Sequence, residues 1–427
     1  MKGSQSSRRT LAASLVVLLS LLPCHLQAAD DWPQWRGPAR DGRINAPAWP
    51  STLDTNSLRA VWSAPMGPGY SGPIVTPTLV FATETISKRL ERVTAFDRRT
   101  GTARWTREWE GAVSVPFFAK SNGDWIRSTP AWDGTNLFVA GMRDVLVCLN
   151  GADGTERWRI DFVQTLKSDV PAFGCVSSPL VDGDSVYVQA ANGVARIQSA
   201  TGKVLWHTCK EGGGMSGGSF GSPALLTLAG VRQLVVPTRS RLVGIALQDG
   251  AELWSHPIES FRGMNILTPV LAGNDRLFSS AYGGKCLGID IRDKDGKLTA
   301  STAWEYKAQG YMSTPVVVDG HAYLHLRSQR VTCLDLATGT ERWTSGESFG
   351  KYWSLIANGN QVLALDEKGE LILFRATPEK LDVLARRKIS TSETWAHLAV
   401  AGSSVFVRAL DALTVWDWSI PPSSPAR

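Results

Sequence analysis

The chain has 427 residues, 43% hydrophobic, 9% aromatic and 20% charged, with 17 tryptophans. This balance excludes disorder, collagen and sustained coiled coils, and it supplies apolar mass for a large core. The 45 Lys and Arg against 39 Asp and Glu give a net charge of +6, but no long basic run follows the first residues, so nucleic acid is not expected as a partner.

The chain opens on an address. Lys2, Arg8 and Arg9 precede an apolar run from Leu11 to Leu22, and Ala28 and Ala29 follow. This predicts a secretory signal over residues 1–29. The run is too short for a bilayer, which needs ~20 residues, and no later stretch is long enough. The mature protein is therefore expected to be exported, periplasmic or secreted, with no transmembrane segment. Ser7 to Leu11 resembles a twin-arginine signal, so general and twin-arginine export both stand. A lipid anchor at Cys24 is not expected, because Pro23 sits where such signals want a small residue. Losing Lys2, Arg8 and Arg9 with the leader leaves 42 basic against 39 acidic residues, net +3.

Residues 30–57 read as an N-terminal extension, 58–420 as one repeat domain and 421–427 as a tail. The repeat is a strand, then Asp or a polar residue, a turn ending in Gly, and Trp four residues on. It reads Ala95-Phe96-Asp97, Thr100-Gly101, Trp105. It recurs at Cys148, Gly154 and Trp158, at Ile197, Gly202 and Trp206, and at Ile245, Gly250 and Trp254. An insertion lengthens the copy at Ile289, Gly296 and Trp304, and the cleanest copy is Cys333, Gly339 and Trp343. Trp62 lacks a preceding turn, and Val415-Trp416-Asp417 lacks a following Trp; together they make one unit split between the chain ends. With a decayed copy from Leu373 to Leu384, the count is eight units of about 47 residues; seven remains the alternative.

A second series gives the same count. A Ser/Thr-Pro step opens an alternating apolar run at Pro130, Pro179, Pro223, Pro269 and Pro315, with looser copies at Ser71, Ser354 and His397. Asp-Gly turns follow, as antiparallel hairpins require. Four-stranded units of this length predict an all-β, eight-bladed propeller of antiparallel blades. The N-terminal strand near Trp62 would complete the last blade and remove an exposed edge. The seven tryptophans Trp62, Trp105, Trp158, Trp206, Trp254, Trp304 and Trp343 are expected to wedge between blades, each over the Gly turn of its own unit.

The line Ala-x-Asp-x-x-Thr-Gly-x-x-x-Trp resembles the tryptophan-docking repeat of pyrroloquinoline quinone (PQQ) propellers, from about residue 58 to 418. Trp32-Pro33-Gln34-Trp35-Arg36-Gly37-Pro38 resembles the opening of many exported PQQ-like repeat proteins of bacteria. The family includes quinoprotein dehydrogenases and BamB-type assembly factors, so the repeat is specific for fold and weak for function. The resemblance implies either a non-catalytic periplasmic scaffold with a protein partner in the cell envelope or, as the alternative, a PQQ- and Ca²⁺-dependent oxidoreductase of alcohols or sugars. A third reading is binding of glycan or cell-wall fragments. The adjacent cysteines of many alcohol-oxidising members are missing, and no segment maps onto their calcium and base positions. No catalytic residue, cofactor or metal is therefore expected, and the protein is expected to be a monomer.

Five cysteines follow the leader: Cys148, Cys175, Cys209, Cys286 and Cys333. An odd count leaves one unpaired in a monomer, and no C-x-x-C signals zinc or haem. Cys148 and Cys333 occupy a small apolar slot, whereas Cys175 sits in a loop and is the one expected at the surface. Gly67 to Gly72 and Gly214 to Gly218 match nucleotide and nucleophile-elbow patterns without the helix each needs. Asp293-x-Asp295-Gly296 lacks the end ligands of a calcium loop. His321 and His325 lie ~13 Å apart along a strand, too far to share a metal.

One constellation remains. Residues just before each first strand should ring one mouth of the central channel: Tyr70, Arg127, Cys175, Phe220, Asn265, Tyr311, Lys351, Tyr352, Trp395 and His397, with Arg262 close by. Aromatics with a few cations suit an anionic or planar ligand or a peptide segment; the other reading is a plug of packed aromatics. Gly212 to Gly218 would form a flap at this mouth or a plain loop.

Overall fold

A computed structural model describes residues 31–212 and 220–418. The expected leader, Cys24, the Gly214 motif, the flap beyond Gly212 and the tail lie outside the described residues. Eight separate antiparallel sheets of four main strands follow one another along the chain. In chain order, blades 1 to 7 occupy residues 74–110, 131–161, 180–208, 224–257, 270–306, 316–344 and 353–388. Blade 8 takes three strands from residues 399–417 and its fourth from Arg59–Pro65. That strand pairs antiparallel with Ala412–Asp417 in the register Arg59↔Asp417 to Pro65↔Ala412. The chain is an eight-bladed β-propeller closed by its two ends. No helix among the described residues is long and apolar enough to cross a membrane.

Second and third strands are near-continuous buried runs because both of their faces are covered, while the outermost strands meet water. Val80, Phe81 and Ala82 are fully buried, as are Leu137, Phe138 and Val139. The repeat line also has a backbone consequence. Where the third strand meets the fourth, the register slips by one residue just before the tryptophan position, as between Ala95 and Phe96 and between Cys333 and Leu334. Such a bulge re-aims a side chain. The Asp of the motif makes the turn: Asp97 Oδ1 accepts from the amides of Arg99 and Thr100 at 3.1 and 2.9 Å. Gly101 then takes φ +73°, the left-handed region that glycine adopts without strain.

The tryptophans bridge blades, but not as the repeat suggests. Five of the seven indoles, Trp62, Trp105, Trp158, Trp206 and Trp304, rest on the Gly turn of the next unit, not of their own. Trp105 of blade 1 donates to the Gly151 carbonyl of blade 2 at 2.9 Å and lies against Gly154. Trp158, Trp206 and Trp304 sit in the same way on Gly202, Gly250 and Gly339. Trp343 reaches the Thr377 carbonyl of blade 7 at 2.9 Å. Trp254 departs from the set: it is buried and donates to Gln233 Oε1 of its own blade at 2.6 Å. Blade 5 carries the insertion, its outer pair running from Cys286–Lys294 to Lys297–Tyr306, and no atom lies within 4 Å of where a Cβ at Gly296 would stand.

Candidate functional site

The Ser/Thr-Pro steps build the channel wall. The amide of Gly72 donates to Thr129 Oγ1 at 2.9 Å, Thr129 to Ser178 Oγ at 3.0 Å, and Ser178 to Ser222 Oγ at 3.0 Å. Ser222 continues to Thr268 Oγ1 at 3.0 Å, and Thr268 to Thr314 Oγ1 at 3.2 Å. Each hydroxyl accepts from the preceding blade, so a polar belt ties blades 1 to 6 around the axis. In the degenerate copies the belt reverses. The amides of Trp353 and Leu398 donate back to Ser313 Oγ and Ser354 Oγ at 3.0 and 3.3 Å. The repeated residue type is thus a buried hydrogen-bond acceptor rather than a reactive hydroxyl.

The N-terminal extension fills the channel below this belt. Trp32 is 1% exposed and exchanges backbone bonds with Val75 of blade 1 at 2.7 and 3.0 Å. The carbonyl of Pro33 accepts from Trp132 of blade 2 at 2.7 Å. Arg36 Nη1 donates to the Thr314 carbonyl at 2.8 Å, and its Nη2 to Pro315 and Asp41 at 2.7 and 2.6 Å. Arg40 spans the other side, reaching the carbonyls of Pro179 and Ser178 in blade 3 and Pro223 in blade 4 at 2.8, 3.2 and 3.1 Å. Arg43–Ile44 then pairs parallel with Ala357 and Asn358 on the inner edge of blade 7. Two forked cations satisfy converging carbonyls that proline-containing strand starts leave unpaired. Burial lowers Arg36 to about 10 and Arg40 to about 9, so both stay charged at neutral pH. The extension next runs outward, with Trp49 stacked on Trp418 at 5.3 Å, and delivers Arg59 to the rim of blade 8.

Above the cork lies a cavity of about 460 Å³ whose floor is Trp35. Of the residues chosen from sequence, Tyr70, Arg127, Phe220, Tyr311, Lys351, Tyr352, Trp395 and His397 all line it. Three do not. Cys175 is buried at 5% exposure, its amide bound to the Met142 carbonyl and its thiol pushed far up by burial; the expected surface position is corrected, because the side chain joins the apolar cluster between blades 2 and 3 with Ala140, Ala190 and Ala191. Asn265 is 1% exposed and donates to the Thr238 carbonyl at 3.0 Å. Arg262 faces a neighbouring groove. The wall is continuous: Trp125 meets Tyr70 edge-on at 5.2 Å, Tyr70 meets Trp395 at 5.7 Å, and Trp395 stacks on Tyr352 at 6.2 Å. The Arg127 guanidinium lies 5.4 Å from the Tyr70 ring centre and donates to the Gly123 carbonyl at 2.6 Å. Burial pushes the Tyr70 hydroxyl up to about 12 and holds His397 down to about 3, so His397 is neutral. Trp35 and Phe173 belong to this site and were not foreseen; for Trp35 the signal was its tandem with Arg36 in a motif read only as a resemblance.

The cavity shares Ala119, Phe173, Met264 and Tyr311 with a wider groove of about 1100 Å³ running outward across blades 4 and 5. Its edge carries exposed aromatics: Phe117 is 83% exposed, Phe118 50% and Phe261 44%. Phe118, Phe173 and Phe220 lead inward from it with ring centres 6.2 and 5.6 Å apart.

The propeller family raises the question of a calcium-bound quinone. Arg127 and Lys351 could meet a quinone's carboxylates. No carboxylate, however, is among the described residues lining the cavity, and no group of three or more His, Cys, Asp or Glu able to hold a metal occurs among the described residues. The donor set does not fit calcium.

A family model described as Outer membrane protein assembly factor BamB matches residues 89–345. The Outer membrane protein assembly factor BamB of Yersinia pestis is 22% identical over 355 residues, covering 80% of this chain and 81% of that relative. Among solved structures, BamB from Moraxella catarrhalis superposes with a TM-score of 0.61 at 15% identity, over 86% of this chain and 99% of that one. A europium-containing methanol dehydrogenase gives 0.52 at 13% identity, over 90% and 98%. At these identities the two structures speak for the fold alone.

Proposed function

The chain belongs to the family of the outer membrane protein assembly factor BamB, and on that premise we propose that it is an exported, non-catalytic interaction propeller of the cell envelope. It would hold a protein partner in outer-membrane assembly from the periplasmic side. The observation that carries this reading is the aromatic edge of Phe117, Phe118 and Phe261 beside the channel mouth. Aromatic side chains left in water on a rigid all-β frame are what a partner's apolar segment buries. The frame itself is closed and corked, as a scaffold needs.

The test uses the mature protein and the purified periplasmic domain of the barrel-inserting component from the same cell. A saturable complex is expected, weakened at least about tenfold when Phe117 and Phe118 are both changed to Asp. Phe117 is exposed and Phe118 half-exposed, and neither belongs to a core cluster, so folding should survive. No complex with the wild-type protein, or equal binding by the double variant, would overturn the reading.

A further inference from the structure

We infer that the cavity above Trp35 binds a small ring-bearing acid, its carboxylate held by Arg127 and Lys351 and its ring set against Tyr70, Tyr352 and Trp395. The inference is independent of the envelope-scaffold reading.

The volume of about 460 Å³ falls within the range of small-molecule sites. The charged side chains among the described lining residues are both cations, Arg127 and Lys351, with Asp124 and Glu393 standing outside the lining. Arg127 is half-buried, makes no ion pair within 4 Å among the described residues, and has its side-chain hydrogen bond with the Gly123 carbonyl. A cation left this way in a partly dry site lacks compensation that a ligand carboxylate would supply. Lys351 stands exposed at the same mouth. Behind the floor, Arg36 and Arg40 lie 5.6 and 5.5 Å from the Trp35 ring centre, so the field under the ligand is positive as well.

His397 contributes an apolar surface rather than a hydrogen bond: its Nδ1 is 2.8 Å from the Leu398 carbonyl, its Nε2 is closed off from the cavity, and its ring lies against Trp32 and Trp35 at 6.5 and 6.1 Å. A neutral polyol offers many donors and would want carboxylate acceptors, which the described lining does not provide. The aromatic wall suits a flat ring or the apolar face of a sugar ring, so aromatic and sugar acids share the required chemistry.

Calorimetric titration of the mature protein with 4-hydroxybenzoate and with galacturonate separates the two sources. 4-Hydroxybenzamide and galactose serve as the neutral counterparts. At least one acid should saturate with a Kd below about 1 mM, and its neutral counterpart should bind at least about tenfold more weakly. Hydroxybenzoate binding alone assigns an aromatic acid, and galacturonate binding alone a sugar acid. Arg127→Gln and Lys351→Gln should each weaken the acid at least about tenfold while the unfolding midpoint stays in place. Should Arg127→Gln fail to fold, the exposed Lys351→Gln carries the test. Neither acid saturating at about 10 mM, equal affinity for acid and neutral probe, or unchanged affinity in the folded variants would overturn the inference.

Discussion

The indole of Trp62, on the last strand of blade 8, lies flat on Gly101 of blade 1 and donates its Nε1 hydrogen to the Arg98 carbonyl at 2.8 Å. A Cβ at Gly101 would stand 2.6 Å from Trp62 Cδ2, in a backbone already at φ +73°. This contact crosses the junction where the ring closes. Trp62→Ala removes packing and one hydrogen bond at once, and should cost at least about 2 kcal/mol. Gly101→Ala should cost about 1–3 kcal/mol through strain and collision. Urea unfolding of each variant reads both losses. The pair should be strongly non-additive, because without the indole the new methyl has nothing to strike.

Cork removal should be felt around the whole ring. Arg36 and Arg40 together serve backbone carbonyls in blades 3, 4 and 6. Truncating either leaves several buried acceptors unpaired, at about 1–3 kcal/mol for the group lost. Arg36→Ala and Arg40→Ala should therefore each lower stability by about 2–4 kcal/mol. Arg36→Lys should recover little, since a point charge on one stem cannot reach Thr314, Pro315 and Asp41 together. Full recovery by lysine would mean that charge, not the fork, holds the segment.

These two contacts mark how far the sequence can be read. Blade number and closure were legible because Asp97, Gly101 and Trp105 are spaced within one hairpin, and local geometry repeats with the residues. The channel ring was legible because Ser/Thr-Pro marks each inner strand, and eight of the chosen residues meet in one cavity. Docking of an indole on the following blade was not, because the twist that brings Trp105 to Gly154 is a property of the ring, not of one unit. Nor was the cork. Trp32 to Ile44 has no periodicity, and the partners of its arginines are main-chain carbonyls, which carry no side-chain signature. Cys175 was misplaced for a similar reason: its burial comes from packing between blades 2 and 3, which a loop position in one unit does not show.

Thiol chemistry should follow burial rather than loop position. All five described cysteines are free; Cys148, Cys175, Cys286 and Cys333 are buried and Cys209 is half-buried. Burial raises each thiol above its ordinary range, which suppresses the reactive thiolate. Iodoacetamide at pH 8 should modify Cys209 first and slowly, and the other four only with global unfolding. Mass spectrometry of peptides resolves the order. Early labelling of Cys175 in native protein would contradict its burial between blades 2 and 3.

The junctions between blades 1, 2 and 3 should make stability depend on pH in an unusual direction. Glu91 is fully buried, accepting from Trp109 Nε1 at 2.8 Å and from the Met142 amide at 2.7 Å. Asp144 is 2% exposed and accepts from the Ala191 amide at 2.7 Å. Burial outweighs these bonds and raises each carboxyl to about 7. A raised folded pKa means the native state holds the proton more tightly than the unfolded chain. The stabilisation is complete below the unfolded values near 4 and is lost as pH climbs to about 7, at most about 3–4 kcal/mol per group. Between pH 5 and 8 the unfolding free energy should therefore fall, not rise. Asp144→Asn keeps an acceptor for Ala191 and cannot ionise. It should match the wild type at pH 5, exceed it at pH 8 and flatten the slope. Denaturant titrations at half-unit intervals of pH measure this directly, and an Asn variant less stable than wild type at pH 8 would show that the native site prefers the carboxylate.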